Sequence, residues 1–118
     1  MGMKLKALIV EDESLVAMLI EDLLLDLGYD VVAMAGQLDH AVRVAGEVEV
    51  DFAVLDLNLH GQLTYPVAEA LARRGIPIVF ATGYGAAGLP PEWADRPVLQ
   101  KPFQQHELRG AIDSALRR

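Results

Sequence analysis

The chain has 118 residues, 53% of them hydrophobic and none of them cysteine. It is long enough for one real core and too apolar for disorder, and it is closed to disulfides, thiol catalysis and zinc–thiolate sites. Its formal net charge is -7 and its 10 basic residues are scattered, apart from pairs such as Arg73-Arg74 and Arg117-Arg118, which argues against a nucleic-acid surface.

No apolar run reaches the ~18 residues of a membrane span and no signal peptide is visible, so the expectation is one soluble cytoplasmic domain over residues 1–118, without membrane contact. Ala7-Leu8-Ile9-Val10 is a short β-prone run that stops at Glu11-Asp12-Glu13. Ser14 is expected to cap a helix running to about Leu27, and Gly28 sits where a left-handed C-terminal residue is wanted. Val31 to Ala35 makes a second strand ending at Gly36. Leu38, Ala41, Val42 and Ala45 share one helical face, in a helix ending near Gly46. Phe52 to Asp56 is the third strand, an apolar run closed by one carboxylate, with the look of a strand buried on both faces. Gly61 marks a turn, and Pro66 suits the first turn of a helix that Gly75 ends. Ile78 to Ala81 forms a fourth strand, closed by Thr82 and Gly83. Val98-Leu99 is a short fifth strand before Lys101-Pro102. Leu108, Ala111, Ile112, Ala115 and Leu116 then follow the spacing of an amphipathic last helix.

Gly83 to Arg96 breaks the alternation, because Gly83, Gly85, Gly88, Pro90 and Pro91 leave room for a short helix at most. The expected fold is therefore α/β, a doubly wound sheet of five parallel strands with a weakened fourth helix.

In such sheets ligands sit beyond the carboxyl ends of the strands, where the winding reverses. Four strands end in chemically active residues: Glu11-Asp12, Asp56, Thr82 and Lys101. Asp56 taken alone reads equally well as a turn residue. With the common strand order 2-1-3-4-5, however, the first and third strands are neighbours and Asp12 converges on Asp56. Carboxylates that close repel one another unless a cation neutralises them, and all-oxygen ligands favour Mg²⁺. A metal, a lysine and a hydroxyl around one carboxylate form a clamp for a phosphoryl group, and Asp can take one up as an aspartyl-phosphate.

With Glu11-Asp12, Asp56-Leu57-Asn58, Thr82-Gly83 and Lys101-Pro102-Phe103 in this order, nearly the whole chain resembles the receiver domain of two-component response regulators, whose fold is flavodoxin-like. The resemblance implies that Asp56 is the phosphoacceptor, charged by a sensor histidine kinase or a histidine phosphotransfer protein. It implies that Asp12 binds Mg²⁺ directly, Glu11 through water and Asn58 through its backbone carbonyl, with Asp56 also at the metal. It further implies that Thr82 bonds one phosphoryl oxygen, that Lys101 pairs with another, and that Lys101-Pro102 is cis. Phe80-Ala81-Thr82-Gly83-Tyr84 is similar to the FAT GUY subgroup, many of whose members are single-domain proteins paired with HWE-type or related histidine kinases.

Four positions depart from the family pattern or stand out beside it. Val98 occupies the place of the aromatic that often reports phosphorylation, so the expected readout is an ordering of Gly83 to Arg96. His60 is expected at the surface rather than beside the phosphoryl group. Tyr84 lies close enough to Thr82 to gate water, and Trp93 is expected to pack over the end of its segment. The function expected is a phosphorylation-controlled switch, not an enzyme beyond slow self-dephosphorylation. It would act through a protein partner, or through a C-terminal portion that this chain does not carry. A phosphate sink and a phosphorylation-independent binding module are the alternatives. A phosphatase activity of the aspartyl-phosphate type is disfavoured by Asn58, where such enzymes usually carry a second Asp as acid/base, and a flavodoxin-like cofactor site by the carboxylates after the first strand.

Overall fold

Apolar runs of four or five residues that end abruptly in charge build a central sheet. In the computed structural model, which describes residues 4–83 and 89–117, these runs become β1 (Lys6–Val10), β2 (Asp30–Ala35), β3 (Phe52–Asp56), β6 (Ile78–Thr82) and β7 (Val98–Gln100). A two-stranded antiparallel ribbon, β4 (Asn58–Leu59) with β5 (Gln62–Leu63), follows β3 directly. The helices are α1 (Ser14–Asp26), α2 (Leu38–Glu47), α3 (Tyr65–Arg73) and α4 (Gln105–Leu116).

The five long strands pair in parallel in the order β2-β1-β3-β6-β7, which is the expected 2-1-3-4-5 winding. β3 and β6 are buried along their whole length, as strands covered on both faces must be. Side chains alternate between the two faces. Leu8, Val10, Ala53, Leu55 and Phe80 pack with Ala41, Ala45, Val67 and Leu71 of α2 and α3. Ala7, Ile9, Phe52, Val54 and Val79 pack with Ala17, Ile20, Leu24, Leu108 and Ile112 of α1 and α4.

Two local expectations need correction. Ser14 is the first residue of α1 rather than its cap. Glu13 holds the N-cap position in extended conformation and makes no side-chain capping bond, while its own amide donates to Glu11 Oε2 at 3.1 Å. The ribbon β4–β5 is the second difference. Its turn residues His60 and Gly61 both have positive φ, 51° and 85°, the backbone that a two-residue hairpin turn demands.

Among the described residues, the segment between β6 and β7 holds no full helix, as expected. Residues 89–97 carry turns, with Trp93 N–H on the Pro90 carbonyl at 2.9 Å and Arg96 N–H on the Trp93 carbonyl at 3.0 Å. Trp93 is buried, stacks edge-on against Phe80 and carries the Arg96 guanidinium over its own ring. Among the described residues no helix is long and apolar enough to cross a membrane.

Candidate functional site

The parallel winding brings the C-terminal ends of β1, β3, β6 and β7 to one edge of the sheet, and the residues that follow or close those strands meet there. Glu11 and Asp12 follow β1, Asp56 closes β3, Thr82 closes β6 and Lys101 follows β7. One oxygen from each of Glu11, Asp12 and Asp56 lies within 4.8 Å of the others. Glu11, Asp56 and Thr82 are buried.

A carboxylate trio in a half-dry pocket needs positive charge, and Lys101 supplies it. Its Nζ donates to Glu11 Oε1 at 2.6 Å and to Asp56 Oδ2 at 2.8 Å. The main chain holds the lysine there, since Lys101 N–H donates to the Thr82 carbonyl at 2.8 Å and Lys101-Pro102 is cis. Burial works against the lysine's charge, but its bonds to Asp56 and Glu11 outweigh that and hold the ammonium above its ordinary pKa. Burial pushes the Glu11 carboxyl up, and the nearby Asp56 charge adds to this against the bonds from Lys101 and the Glu13 amide. At Asp12 burial also opposes ionisation. There the His60 amide and hydrogen bonding with Glu11 win, and the carboxyl sits below its ordinary value.

The ribbon after β3 belongs to the site as well. Asn58 N–H donates to Asp56 Oδ1 at 3.2 Å, and Asn58 Oδ1 accepts the Gly61 amide at 2.8 Å. At the ribbon's tip, His60 N–H donates to Asp12 Oδ2 at 3.0 Å. At its base the fully buried Thr64 donates its hydroxyl to the Asp56 carbonyl at 2.6 Å, and its amide donates to the Leu57 carbonyl at 3.1 Å. A threonine just before a helix suits an N-cap, and Thr64 does hold the N-cap position of α3. Its side chain makes no cap bond, however, because Asp56 has claimed it.

Gly36, at the end of the outer strand β2, has a steric duty. A Cβ there would stand 3.1 Å from the Glu11 carbonyl oxygen, tighter than neighbouring backbone normally tolerates. The close approach lets Glu11 N–H reach the Ala35 carbonyl at 3.0 Å and seats the acidic turn beside β2.

All six residues expected at the site, Glu11, Asp12, Asp56, Asn58, Thr82 and Lys101, therefore stand at one edge of the sheet. Thr64, Gly36 and the His60 main chain went unforeseen; a turn pair with glycine second, His60-Gly61, was the one sequence sign of the ribbon. His60 is at the surface as expected, with its side chain 62% exposed, yet it also touches Asp12. Val98 is half-buried against the core, where an aromatic often stands in receivers. Tyr84, with the rest of 84–88, lies outside the described residues.

Residues 7–113 match the family model of the response regulator receiver domain. The chain belongs to that family. It is 31% identical over 117 residues to the transcriptional regulatory protein PdtaR of Mycobacterium tuberculosis, covering 96% of this chain and 57% of PdtaR. The receiver thus spans a little over half the length of that relative. The solution structure of SdrG from Sphingomonas melonis Fr1 is 42% identical with a TM-score of 0.86, covering 98% of this chain and 99% of SdrG. The fit to the BeF3-activated conformation of SdrG (Pseudomonas melonis Fr1) gives 0.81, so this receiver lies nearer the first of the two structures. The receiver domain of the sensor histidine kinase PA1611 from Pseudomonas aeruginosa PAO1, solved with a magnesium ion coordinated in its active-site cleft, is 25% identical with a TM-score of 0.82, covering 98% of this chain and 100% of that one.

Proposed function

We propose that this receiver, as one domain over residues 1–118, takes a phosphoryl group onto Asp56 in a Mg²⁺-dependent reaction and thereby switches its binding to a downstream protein. The donor is a phosphohistidine on a sensor histidine kinase, HWE-type or related as the Phe80-Ala81-Thr82-Gly83-Tyr84 run suggests, or on a histidine phosphotransfer protein. The observation that carries the reading is the Lys101 ammonium bonded at once to Asp56 and Glu11 beside a third carboxylate, Asp12.

The donor set suits Mg²⁺, being carboxylate oxygens closely grouped and short of positive charge. Asp12 and Asp56 would hold the ion directly, Glu11 through water and Asn58 through its backbone carbonyl. When bound, the ion neutralises charge on the phosphoryl oxygens. An Asp56 carboxylate oxygen attacks phosphorus; the new O–P bond forms as the P–N bond to the donor imidazole breaks, and that imidazole keeps the electron pair. Lys101 exchanges its bond with Asp56 Oδ2 for one with a phosphoryl oxygen, and the Thr82 hydroxyl donates to another. The buried Thr64 hydroxyl and the Asn58 amide hold the acceptor carboxyl in place meanwhile. The chain acts as an acceptor, with turnover limited to slow loss of its own acyl phosphate.

Intact mass after incubation with Mg²⁺ and a small phosphodonor tests this. The wild type gains one phosphoryl group and Asp56→Asn does not. No gain in the wild type, alongside a receiver that reacts, refutes the reading.

A further inference from the structure

We infer that Thr64 is a positioning residue for the carboxylate cluster as a whole. Its buried hydroxyl seats the ribbon β4–β5, and the ribbon in turn orients both Asp56 and Asp12. The inference rests on the metal-dependent reading above and carries the reach of Thr64 past Asp56.

The bond exists because a strand ends early. Leu57 N–H bonds the Ala81 carbonyl at 3.2 Å, so Leu57 faces β6. Main-chain groups of adjacent strand residues face opposite neighbours, and the Asp56 carbonyl therefore faces β1. β1 pairs with β3 only as far as Val10 beside Leu55, after which the chain leaves toward α1. A buried carbonyl without a donor there is costly. Thr64 Oγ1, fully buried, stands where a longer β1 would supply an amide, and donates at 2.6 Å.

Thr64 has no competing duty at the start of α3. A side chain at the N-cap usually takes the second or third amide of its helix. The second residue here is Pro66, which has no amide, and the third amide, of Val67, is already on the Thr64 carbonyl at 2.9 Å. The hydroxyl is thereby dedicated to Asp56.

From this anchor the ribbon carries two donors to two carboxylates. Thr64 N–H closes its base on the Leu57 carbonyl, and Asn58 and Leu59 pair with Leu63 and Gln62. Asn58 N–H reaches Asp56 Oδ1 at 3.2 Å, and His60 N–H reaches Asp12 Oδ2 at 3.0 Å. Strands of two residues do not hold a ribbon in place by themselves, so its seat depends on its anchors. Loss of the Thr64 hydroxyl loosens both amide bonds together, along with the Asn58 carbonyl that rides on the same ribbon. Groups that orient metal ligands from outside are typically worth roughly 10- to 100-fold in metal affinity.

Calorimetric titration of the intact chain with MgCl₂ tests this on the wild type, Thr64→Val and Thr64→Ser, beside the rate of acyl-phosphate formation at saturating Mg²⁺. Thr64→Val is expected to bind Mg²⁺ about ten-fold more weakly and to react about ten-fold more slowly. Thr64→Ser is expected to stay within about two-fold of the wild type in both. In the metal-free proteins, the amide ¹H–¹⁵N signals of Asn58 and His60 are expected to move in Thr64→Val and to hold their places in Thr64→Ser. A role confined to stability lowers the urea midpoint and leaves these three readings unchanged; that result in folded Thr64→Val overturns the positioning role. Thr64→Ser as impaired as Thr64→Val overturns it too, because the methyl packing would then be at issue. Should Thr64→Val lose its fold by circular dichroism, the wild type decides. Its Thr64 hydroxyl proton is expected to be protected from exchange and to shift when Mg²⁺ is added, and a proton that Mg²⁺ leaves unmoved overturns the role. Failure of the wild type to bind Mg²⁺ or to gain a phosphoryl group overturns the reading above as well, whereas a Thr64→Val that matches a reactive wild type overturns the role of Thr64 alone.

Discussion

Lys101 Nζ lies 2.8 Å from Asp56 Oδ2, and it gets there by reaching past the end of β6, which separates β7 from β3 in the sheet. The same nitrogen binds Glu11 at 2.6 Å, so one ammonium ties together the ends of β1 and β3 from the far side of β6.

Replacing Lys101 by methionine removes this tie while keeping length and apolar volume. Two buried carboxylates then face each other without their cation, and a loss of about 2 kcal/mol in unfolding free energy is expected. The yield of Asp56 acyl phosphate from a small phosphodonor should fall about 100-fold as a transition-state donor disappears. Urea unfolding and intact mass check the two effects. Undiminished phosphorylation would remove Lys101 from the mechanism.

Glu11 gives stability a pH dependence of a definite sign. Burial raises its folded-state pKa above the unfolded value near 4.5. A raised pKa contributes stability that is fully present below the unfolded value and lost as pH rises through the folded one. Between about pH 4.5 and neutrality, urea midpoints should therefore shift in favour of Glu11→Gln relative to wild type. A difference that stays flat with pH, or runs the other way, contradicts the assignment.

Thr64 has the clearest single-group test. Thr64→Val preserves shape and leaves the Asp56 carbonyl without its buried donor, at a cost of about 1–2 kcal/mol. Thr64→Ser keeps the hydroxyl and should recover most of the lost hydrogen bond, though not the methyl packing. If Thr64→Val and wild type share one urea midpoint, the bond contributes nothing net.

Most of the sheet and its site can be read from the chain because buried parallel strands are continuous apolar runs, and the residue that breaks each run is the one delivered to the site. Glu11-Asp12, Asp56, Thr82 and Lys101 all announce themselves in this way. The Gly- and Pro-rich stretch after Thr82 similarly advertises the turns found over its described residues 89–97, and Trp93, the single tryptophan, packs on Phe80. The ribbon does not show, since strands of two residues are too short for any periodicity to register. Nor does the His60 amide on Asp12, because main-chain donors carry no residue signature. Ser14 misleads because a capping residue type can also open the first helical turn, and here the cap position falls one residue earlier, at Glu13.

β3 is buried from end to end and hydrogen-bonded to strands on both sides, so Asp56 is rooted in the part of the molecule least able to shift. An added charge there cannot be absorbed by moving the acceptor's own backbone. On the proposed reading, the accommodation falls to what rings it, namely the Lys101 side chain and the ribbon clipped on by Thr64. A chemical change at the centre of the sheet is for that reason felt first as a change of shape at its rim, which is the surface another protein can reach.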